Sequence, residues 1–184
     1  MPKLVASTPN AEIIGQAMLG FINNLRYDDL IPLLQQYGVD KIDPDRWYPQ
    51  QIFLDIYRDM QNGKINSSEN MVAIAVKIVE TAVFPPGINS VETMIQAMSM
   101  IYKANIRNVP ETEGYWGEIV GPGHAIVKDN SPYLPDSTYG FLWALVKRFR
   151  PEGSKFVVRI LNPNAGVTDD EPVVFDVEWE PKAA

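Results

Sequence analysis

The feature of this sequence that most constrains its fold is a change of apolar period near Pro110. Before it, apolar residues recur three and four positions apart, as over 91–102, which is the spacing of one face of an α-helix. After it, apolar and polar residues alternate, as over 173–179, which is typical of a half-buried strand. The chain is therefore predicted to have a helical part at residues 1–110 and a sheet part at residues 111–184.

The helical part contains five predicted helices, each with an apolar stripe and residues that favour a helix start or stop. Ser, Thr and Asp side chains accept hydrogen bonds from the free amides of a first turn, where proline is also tolerated. Glycine favours the turn that ends a helix, and Gly38 and Gly63 follow the second and third stripes. The five predicted helix starts are Thr8, Asp28 or Asp29, Pro49, Ser67 or Ser68, and Ser90.

The sheet part contains two predicted strand pairs separated by a sixth helix. The predicted strands span 115–120, 124–128, 155–161 and 173–179, and the helix between the pairs begins at Asp136. Antiparallel pairing of the last two strands would place Arg159 on the same face as Asp176 and Glu178, which helps to fix the register. The sequence thus predicts an α+β fold, with about five helices followed by a ββαββ unit and a four-stranded antiparallel sheet, as a single domain over residues 1–184.

Composition excludes several kinds of site and partner. The chain has no cysteine, which removes disulfides, thiolate zinc sites, iron–sulfur clusters and cysteine nucleophiles. The 16 Lys and Arg against 23 Asp and Glu give a net charge of −7, which argues against nucleic acid and anionic membranes as partners. No apolar run approaches the roughly 20 residues of a membrane span, and no signal-peptide pattern is present, so a cytoplasmic location is expected.

Methionine and aromatic residues concentrate where the fifth helix should meet the sheet. Methionine fills irregular apolar spaces and tolerates repacking, so such a wall suits an adaptable pocket, although the same residues would also form an ordinary core. The pocket candidates are Met94, Met98, Tyr102, Trp116 and Tyr133. The expected function is a non-enzymatic sensor-type or ligand-binding domain with an apolar pocket, between helices and sheet, for a hydrophobic small molecule.

Two alternatives remain open from the residues alone. Trp47 and Tyr48 lie together in a polar turn region, which suits a protein-interaction or homodimerisation module with a filled core or, equally, a staple of the third helix onto that core. The one histidine, His124, could act as a general base with a carboxylate such as Glu118 across the first predicted hairpin. Neither the G-x-S-x-G motif nor a phosphate-binding glycine loop is present, so an enzyme is the least favoured alternative.

Four segments of the chain are similar in pattern to a known group of proteins. They are 114–120 (GYWGEIV), 127–132 (VKDNSP), 139–142 (YGFL) and 172–179 (PVVFDVEW). Over about residues 90–180 the chain resembles the 4-vinyl reductase family of small-molecule-binding domains, which shares its helix-then-sheet order with the haem-based nitric oxide/oxygen-binding (H-NOX) domains. The resemblance implies this fold and a pocket for a hydrophobic small molecule.

The resemblance also sets an expectation about cofactors. H-NOX domains hold haem with a histidine on a helix and a Tyr-x-Ser-x-Arg motif, whereas here His124 lies in a predicted strand. Only Ser131 in the segment 128–134 could match the motif, and no arginine follows it. The paired cysteines that 4-vinyl reductase-like domains often carry are absent as well. From the sequence we therefore expect no haem, no other cofactor and no metal.

Overall fold

The computed structural model describes residues 3–23, 27–62, 71–82, 84–165 and 171–181. Within these residues it contains six helices and seven strands, which confirms the predicted α+β class. The helices are α1 (Gly15–Ile22), α2 (Tyr27–Gln36), α3 (Gln50–Gln61), α4 (Met71–Thr81), α5 (Val91–Asn105) and α6 (Pro135–Phe149). The strands are β1 (Glu12–Ile14), β2 (Trp47–Pro49), β3 (Ile106–Arg107), β4 (Gly114–Gly121), β5 (His124–Asn130), β6 (Phe156–Ile160) and β7 (Val173–Trp179).

The predicted ββαββ unit is present, with its strands in the spatial order β4-β5-β7-β6 and every neighbouring pair antiparallel. The predicted cross-strand charges meet on the outer face, where Arg159 donates to Asp176 at 2.8 Å and to Glu178 at 2.6 Å. Alternation along β5 and β7 turns the buried side chains of Val127 and Phe175 toward the helices. One face of this sheet is therefore core and the other carries charge.

A second, three-stranded sheet was not predicted, and it corrects the start of the first helix. Residues 12–14 form the central strand of the order β2-β1-β3, and α1 begins only at Gly15. The hydroxyl of Thr8 does not cap a helix, because it donates to the carbonyl of Asn108 at 2.7 Å. Pairing with β2 and β3 thus decides the conformation of a segment whose local signals favour a helix.

The other helix starts and stops follow the sequence more closely. Ser90 caps α5 in a capping box with Thr93, and Gly38 follows α2 with a φ of 71°. Pro49 precedes α3 as predicted, but Leu134 rather than Asp136 is the N-cap residue of α6, with Pro135 in its first turn. The predicted signals at Ser67 or Ser68 and at Gly63 lie outside the described residues, as do the side chains of Asp28 and Asp29.

The interior consists of two apolar clusters. The first joins α1, α2 and α3 to the small sheet around Met18, Ile22 and Leu54. The second joins α5 and α6 to the inner face of the large sheet around Met94 and Phe175. The helices of the described part include none that is both long and apolar enough to span a membrane.

Candidate functional site

Four tyrosines lie where the two apolar clusters meet, and we call them the tyrosine cluster. They are Tyr57 on α3, Tyr102 on α5, Tyr115 on β4, and Tyr133 in the loop that precedes α6. The ring centroids of Tyr102 and Tyr115 are 5.2 Å apart in an edge-to-face arrangement, and those of Tyr57 and Tyr133 are 6.3 Å apart. Tyr115 contacts both apolar clusters, so this group forms the boundary between the two halves of the protein.

Tyr102 is held by a buried carboxylate and a glycine. Its hydroxyl donates to Oε1 of Glu113 at 2.5 Å, and Glu113 itself is 0% exposed. Gly114 has a φ of 129°, and a Cβ there would lie 2.9 Å from the ring of Tyr102. The glycine thus permits both an unusual backbone conformation and the close approach of the ring. Burial, together with the nearby Tyr133 and Glu113, raises the pKa of Tyr102 well above 10, so it is a neutral donor.

A second buried carboxylate, Asp129, organises the other side of the tyrosine cluster. Its Oδ1 accepts from the amide of Ser131 and its Oδ2 from the hydroxyl of Thr138, both at 2.7 Å. Burial raises the pKa of Asp129, and the charge of Lys3 and these hydrogen bonds partly offset that effect. Asp129 lies at the end of β5, and the alternation of the strand turns its side chain toward the interior. From there it joins a short loop to the first turn of α6.

The N-terminal segment, residues 3–6, closes the site by bonding to both halves. Lys3 donates to the carbonyl of Ser131 at 2.8 Å, and the amide of Leu4 donates to the carbonyl of Pro132 at 2.7 Å. On the other side, the carbonyl of Leu4 accepts from Arg58 and from Gln51 of α3. Burial lowers the pKa of Lys3, and the charge of Asp129 opposes that shift. The segment therefore spans the boundary between the two apolar clusters.

Two polar side chains at this boundary have hydrogen-bonding atoms without partners. Gln50, at the start of α3, is 0% exposed, and among the described residues neither its Oε1 nor its Nε2 has a hydrogen-bond partner. The second carboxylate oxygen of Glu113, Oε2, is also buried without a partner. Tyr133 lies in the same region: burial raises its pKa, a polar interaction with Gln50 lowers it, and the charge of Glu113 raises it. Such atoms cost about 1–3 kcal/mol each unless something satisfies them.

The five pocket candidates are placed in different surroundings. Met94 and Met98 are buried in the second apolar cluster, while Tyr102 and Tyr133 belong to the tyrosine cluster. Trp116 lies between the inward-facing Tyr115 and Gly117 on β4, so alternation turns it to the outer face of the sheet. Two open surface clefts lie elsewhere, with volumes of about 380 Å³ beside His124 and about 630 Å³ beside Asn108.

The aromatic pair Trp47 and Tyr48 contributes to the core. Both residues lie in β2, where Tyr48 is 5% exposed and its hydroxyl accepts from the amide of Asp43 at 2.8 Å. Trp47 is half-buried, and the guanidinium of Arg107 lies 4.3 Å from its ring centroid. This pair therefore fastens β2 and the start of α3 to the first apolar cluster, in line with the staple that the sequence left open.

His124 lies far from the tyrosine cluster and has a different partner from the one predicted. Its Nε2 lies 2.7 Å from Oδ1 of Asp176 on the outer face of the sheet, with 41% of its side chain exposed. Glu118 pairs with Ile126, so the predicted histidine–glutamate contact across the β4-β5 hairpin is wrong. The reason is register: Gly121 rather than Glu118 lies opposite His124, and β7 supplies the nearest carboxylate.

The pair gives a pH-dependent prediction. Burial tends to raise the pKa of Asp176, but hydrogen bonds from His124 and Arg159 outweigh it and hold this pKa below its ordinary 3.8. A lowered pKa stabilises the fold above that ordinary value, and the contribution is lost as the pH falls through the folded-state value. We expect the Asp176→Asn variant to lose less thermal stability than wild type between about pH 5 and about pH 3, measured by circular dichroism. Equal losses in the two proteins would contradict this expectation.

Comparison with known proteins identifies the fold. No protein-family model matches the chain, and no curated protein matches it. Solved structures do match: a Phe-to-Leu variant of Tt H-NOX superposes with a TM-score of 0.70 at 13% identity, over 94% of this chain and 98% of that one. The chain has an H-NOX-like fold. The resemblance to 4-vinyl reductases stays a prediction.

Two further structures agree with this result and bear on the cofactor. One is titled as an oxygen-binding H-NOX domain related to soluble guanylate cyclases, with a TM-score of 0.64 and 13% identity over 92% of this chain and 97% of that one. Another, from work on the modulation of haem redox potential by porphyrin distortion, superposes with a TM-score of 0.63 at 13% identity, over 90% of this chain and 99% of that one. The expectation of no cofactor, with haem disfavoured, is thereby overturned. The absence of a histidine on a helix does not by itself exclude haem, because tyrosine and methionine side chains also ligate haem iron.

The side chains present determine how a haem could be held. His124 is unsuited to ligate iron inside the protein, because it lies on the outer face of the sheet and is paired with Asp176. The described interior offers the thioether of Met98 on α5 as a sulfur donor and Lys3 as a cation for a carboxylate. Tyr102 is a neutral donor bonded to Glu113, so it does not offer the phenolate that a tyrosine ligand supplies. The donor set therefore fits haem through a methionine ligand and fits neither histidine nor tyrosine ligation. The described residues contain no group of three or more acidic or histidine side chains that would hold a metal ion directly.

Sequence reasoning missed most of the polar residues of this site. Glu113, Gln50 and Asp129 were not candidates, although Asp129 carried a usable signal: it follows Ala125 and Val127 at the period of two that marks the inward face of a strand. A carboxylate on an apolar face requires partners inside the protein. Glu113 and Gln50 had no such signal in the sequence. Glu113 directly precedes β4 and Gln50 is the first residue of α3, and at the end of a strand or helix the period of apolar residues does not indicate which side chains are buried.

Proposed function

We propose that this protein is a non-enzymatic, sensor-type domain that binds a hydrophobic small molecule between its helices and its large sheet. The observation that carries the proposal is the set of unpartnered buried atoms of Gln50 and Glu113 at the tyrosine cluster. Their neighbours are well satisfied: Asp129 has two hydrogen bonds and Tyr102 has one. Five buried side-chain atoms of the described residues lack a hydrogen-bond partner, and three of the five belong to Gln50 and Glu113, the others being on Ser7 and Arg150. Such a concentration of free atoms is the pattern expected of a ligand site.

The surroundings suit a ligand with an apolar body. Met94 and Met98 lie on the α5 face that packs against the sheet, and methionine side chains can repack around an occupant. The N-terminal segment bonds to the two halves on either side of the site, so an occupant that separates the halves would also strain these bonds. This gives a sensor domain a physical means of reporting occupancy through a change in the position of its N-terminus.

Ligand extraction tests the proposal. We expect the purified protein to release a hydrophobic compound into organic solvent, detected by mass spectrometry, in an amount close to one per chain. Haem is checked in the same sample by its absorbance and by titration of the protein with added haem. A protein that releases nothing, binds no added haem and binds no hydrophobic probe would contradict the proposal.

A further inference from the structure

Glu113 is a buried carboxyl group with few partners. It is 0% exposed, and its one hydrogen bond comes from the neutral hydroxyl of Tyr102. Among the residues that the structure describes, no cation forms an ion pair with Glu113: Lys3 is bonded to the carbonyl of Ser131 and interacts with the charge of Asp129, and Lys103 is bonded to Glu111. An ionised Glu113 thus lacks a counter-charge, while a protonated one would leave a buried hydroxyl donor without an acceptor.

The neighbouring groups specify what could complete this arrangement. Oε2 of Glu113 accepts hydrogen bonds when ionised, and Oε1 of Gln50 is a second free acceptor at the same boundary. Tyr102, which is bonded to Glu113, has its ring against that of Tyr115, and Tyr133 interacts with both Gln50 and Glu113. Aromatic faces attract cations by about 0.5–2 kcal/mol. A group that offers several N–H donors and a positive charge satisfies the acceptors, the charge and the rings together.

We infer that the tyrosine cluster binds the ammonium group of a hydrophobic primary amine, with Glu113 and Gln50 as its hydrogen-bond acceptors. This inference rests on the proposed function and names the ligand chemistry of the same site. The apolar body of the amine lies toward Phe53 and the methionines of α5, where the two apolar clusters meet. The ammonium head explains why polar atoms are left free at the centre of an otherwise apolar boundary.

A pair of probes matched in shape tests the inference on the full chain. We measure binding of 2-phenylethylammonium and of 2-phenylethanol, which share an apolar body and differ in the head group, by calorimetry. We expect the amine to bind at least about tenfold more tightly than the alcohol, since a hydrogen bond to a buried charge contributes far more than a neutral one. The Glu113→Gln variant keeps the acceptor for Tyr102 and should lose this preference, as should Gln50→Leu in part.

Glu118→Gln is the matched control, because Glu118 is an exposed glutamate on the same strand, β4, and its change should leave the preference intact. Without ligand, Glu113→Gln should raise the melting temperature, because it replaces a buried carboxyl group that lacks an ion-pair partner with a neutral amide of the same shape. Equal binding of amine and alcohol, no binding of either, or a preference that survives Glu113→Gln would each overturn the inference. So would a lowered melting temperature of Glu113→Gln, which would assign the carboxylate a structural role satisfied by buried water.

These outcomes are separable from a failure of the proposed function. If haem or another hydrophobic compound is extracted from the protein while the amine shows no preference, the sensor-type proposal stands and the inference about ligand chemistry falls. If no hydrophobic compound is extracted or bound, both fall.

Discussion

The Asp129→Ala variant is expected to lose about 2–6 kcal/mol of unfolding free energy, because leaving a buried donor without its acceptor costs about 1–3 kcal/mol and two donors are affected. The change deprives the amide of Ser131 and the hydroxyl of Thr138 of their acceptors, and it leaves Lys3 without the charge that opposes its burial. Because all three groups lie at the boundary between the two halves, the loss should appear as a lower midpoint in urea denaturation.

Two controls separate this effect from the loss of any surface carboxylate. Asp129→Asn keeps one acceptor oxygen and should cost less than Asp129→Ala. Glu118→Ala removes an exposed carboxylate and should stay within about 0.5 kcal/mol of wild type. An Asp129→Ala variant as stable as Glu118→Ala would show that the buried carboxylate does not join the loop to α6.

The Gly117→Ala variant is expected to destabilise the protein by about 1–3 kcal/mol, the usual cost of overpacking a core. A Cβ at Gly117 would lie 2.3 Å from Cγ2 of Ile95 and 2.8 Å from its carbonyl oxygen. The methyl group can rotate away, but the helix backbone cannot, so α5 would have to move off β4. The measurement is the free energy of unfolding in urea, with the melting temperature as a second readout.

Gly121→Ala is the matched control, because Gly121 ends the same strand and an added Cβ there would have nothing within 4 Å. This variant should keep the stability of wild type. If the two variants were equally stable, the close approach of α5 to β4 would be wrong. A Gly117→Ala protein that folds with weakened binding of the amine probe would further link this helix–strand contact to the tyrosine cluster.

The large sheet was predictable because its information is local. Alternation over 173–179 gave the last strand at its observed bounds, and the charges of Arg159, Asp176 and Glu178 indicated the pairing that the structure contains. The cap at Ser90 and the stop near Gly38 were equally local, since each depends on the chemistry of a single turn. Periodicity and capping are properties of short segments, so they can be read without knowledge of the fold.

The small sheet and the first helix start were decided by contacts distant in sequence. Thr8 and Pro9 have the local chemistry of a helix start, yet Thr8 bonds to Asn108, one hundred residues away, and residues 12–14 pair with two other strands. His124 shows the same effect, because its partner Asp176 is 52 residues away and is set by strand order. No local pattern contains such pairings.

The sequence by itself determined the α+β class, the helix-then-sheet order and the absence of cysteine chemistry, because these depend on period and composition. Only the tertiary structure decided that Gln50, Glu113 and Asp129 are buried beside four tyrosines, since they come from separate parts of the chain. It also changed the interpretation of the methionine and tyrosine residues of α5: from a candidate wall of an apolar pocket, they become the border of a polar centre. Burial of a polar side chain depends on what packs over it, and that is known only once the two halves are brought together.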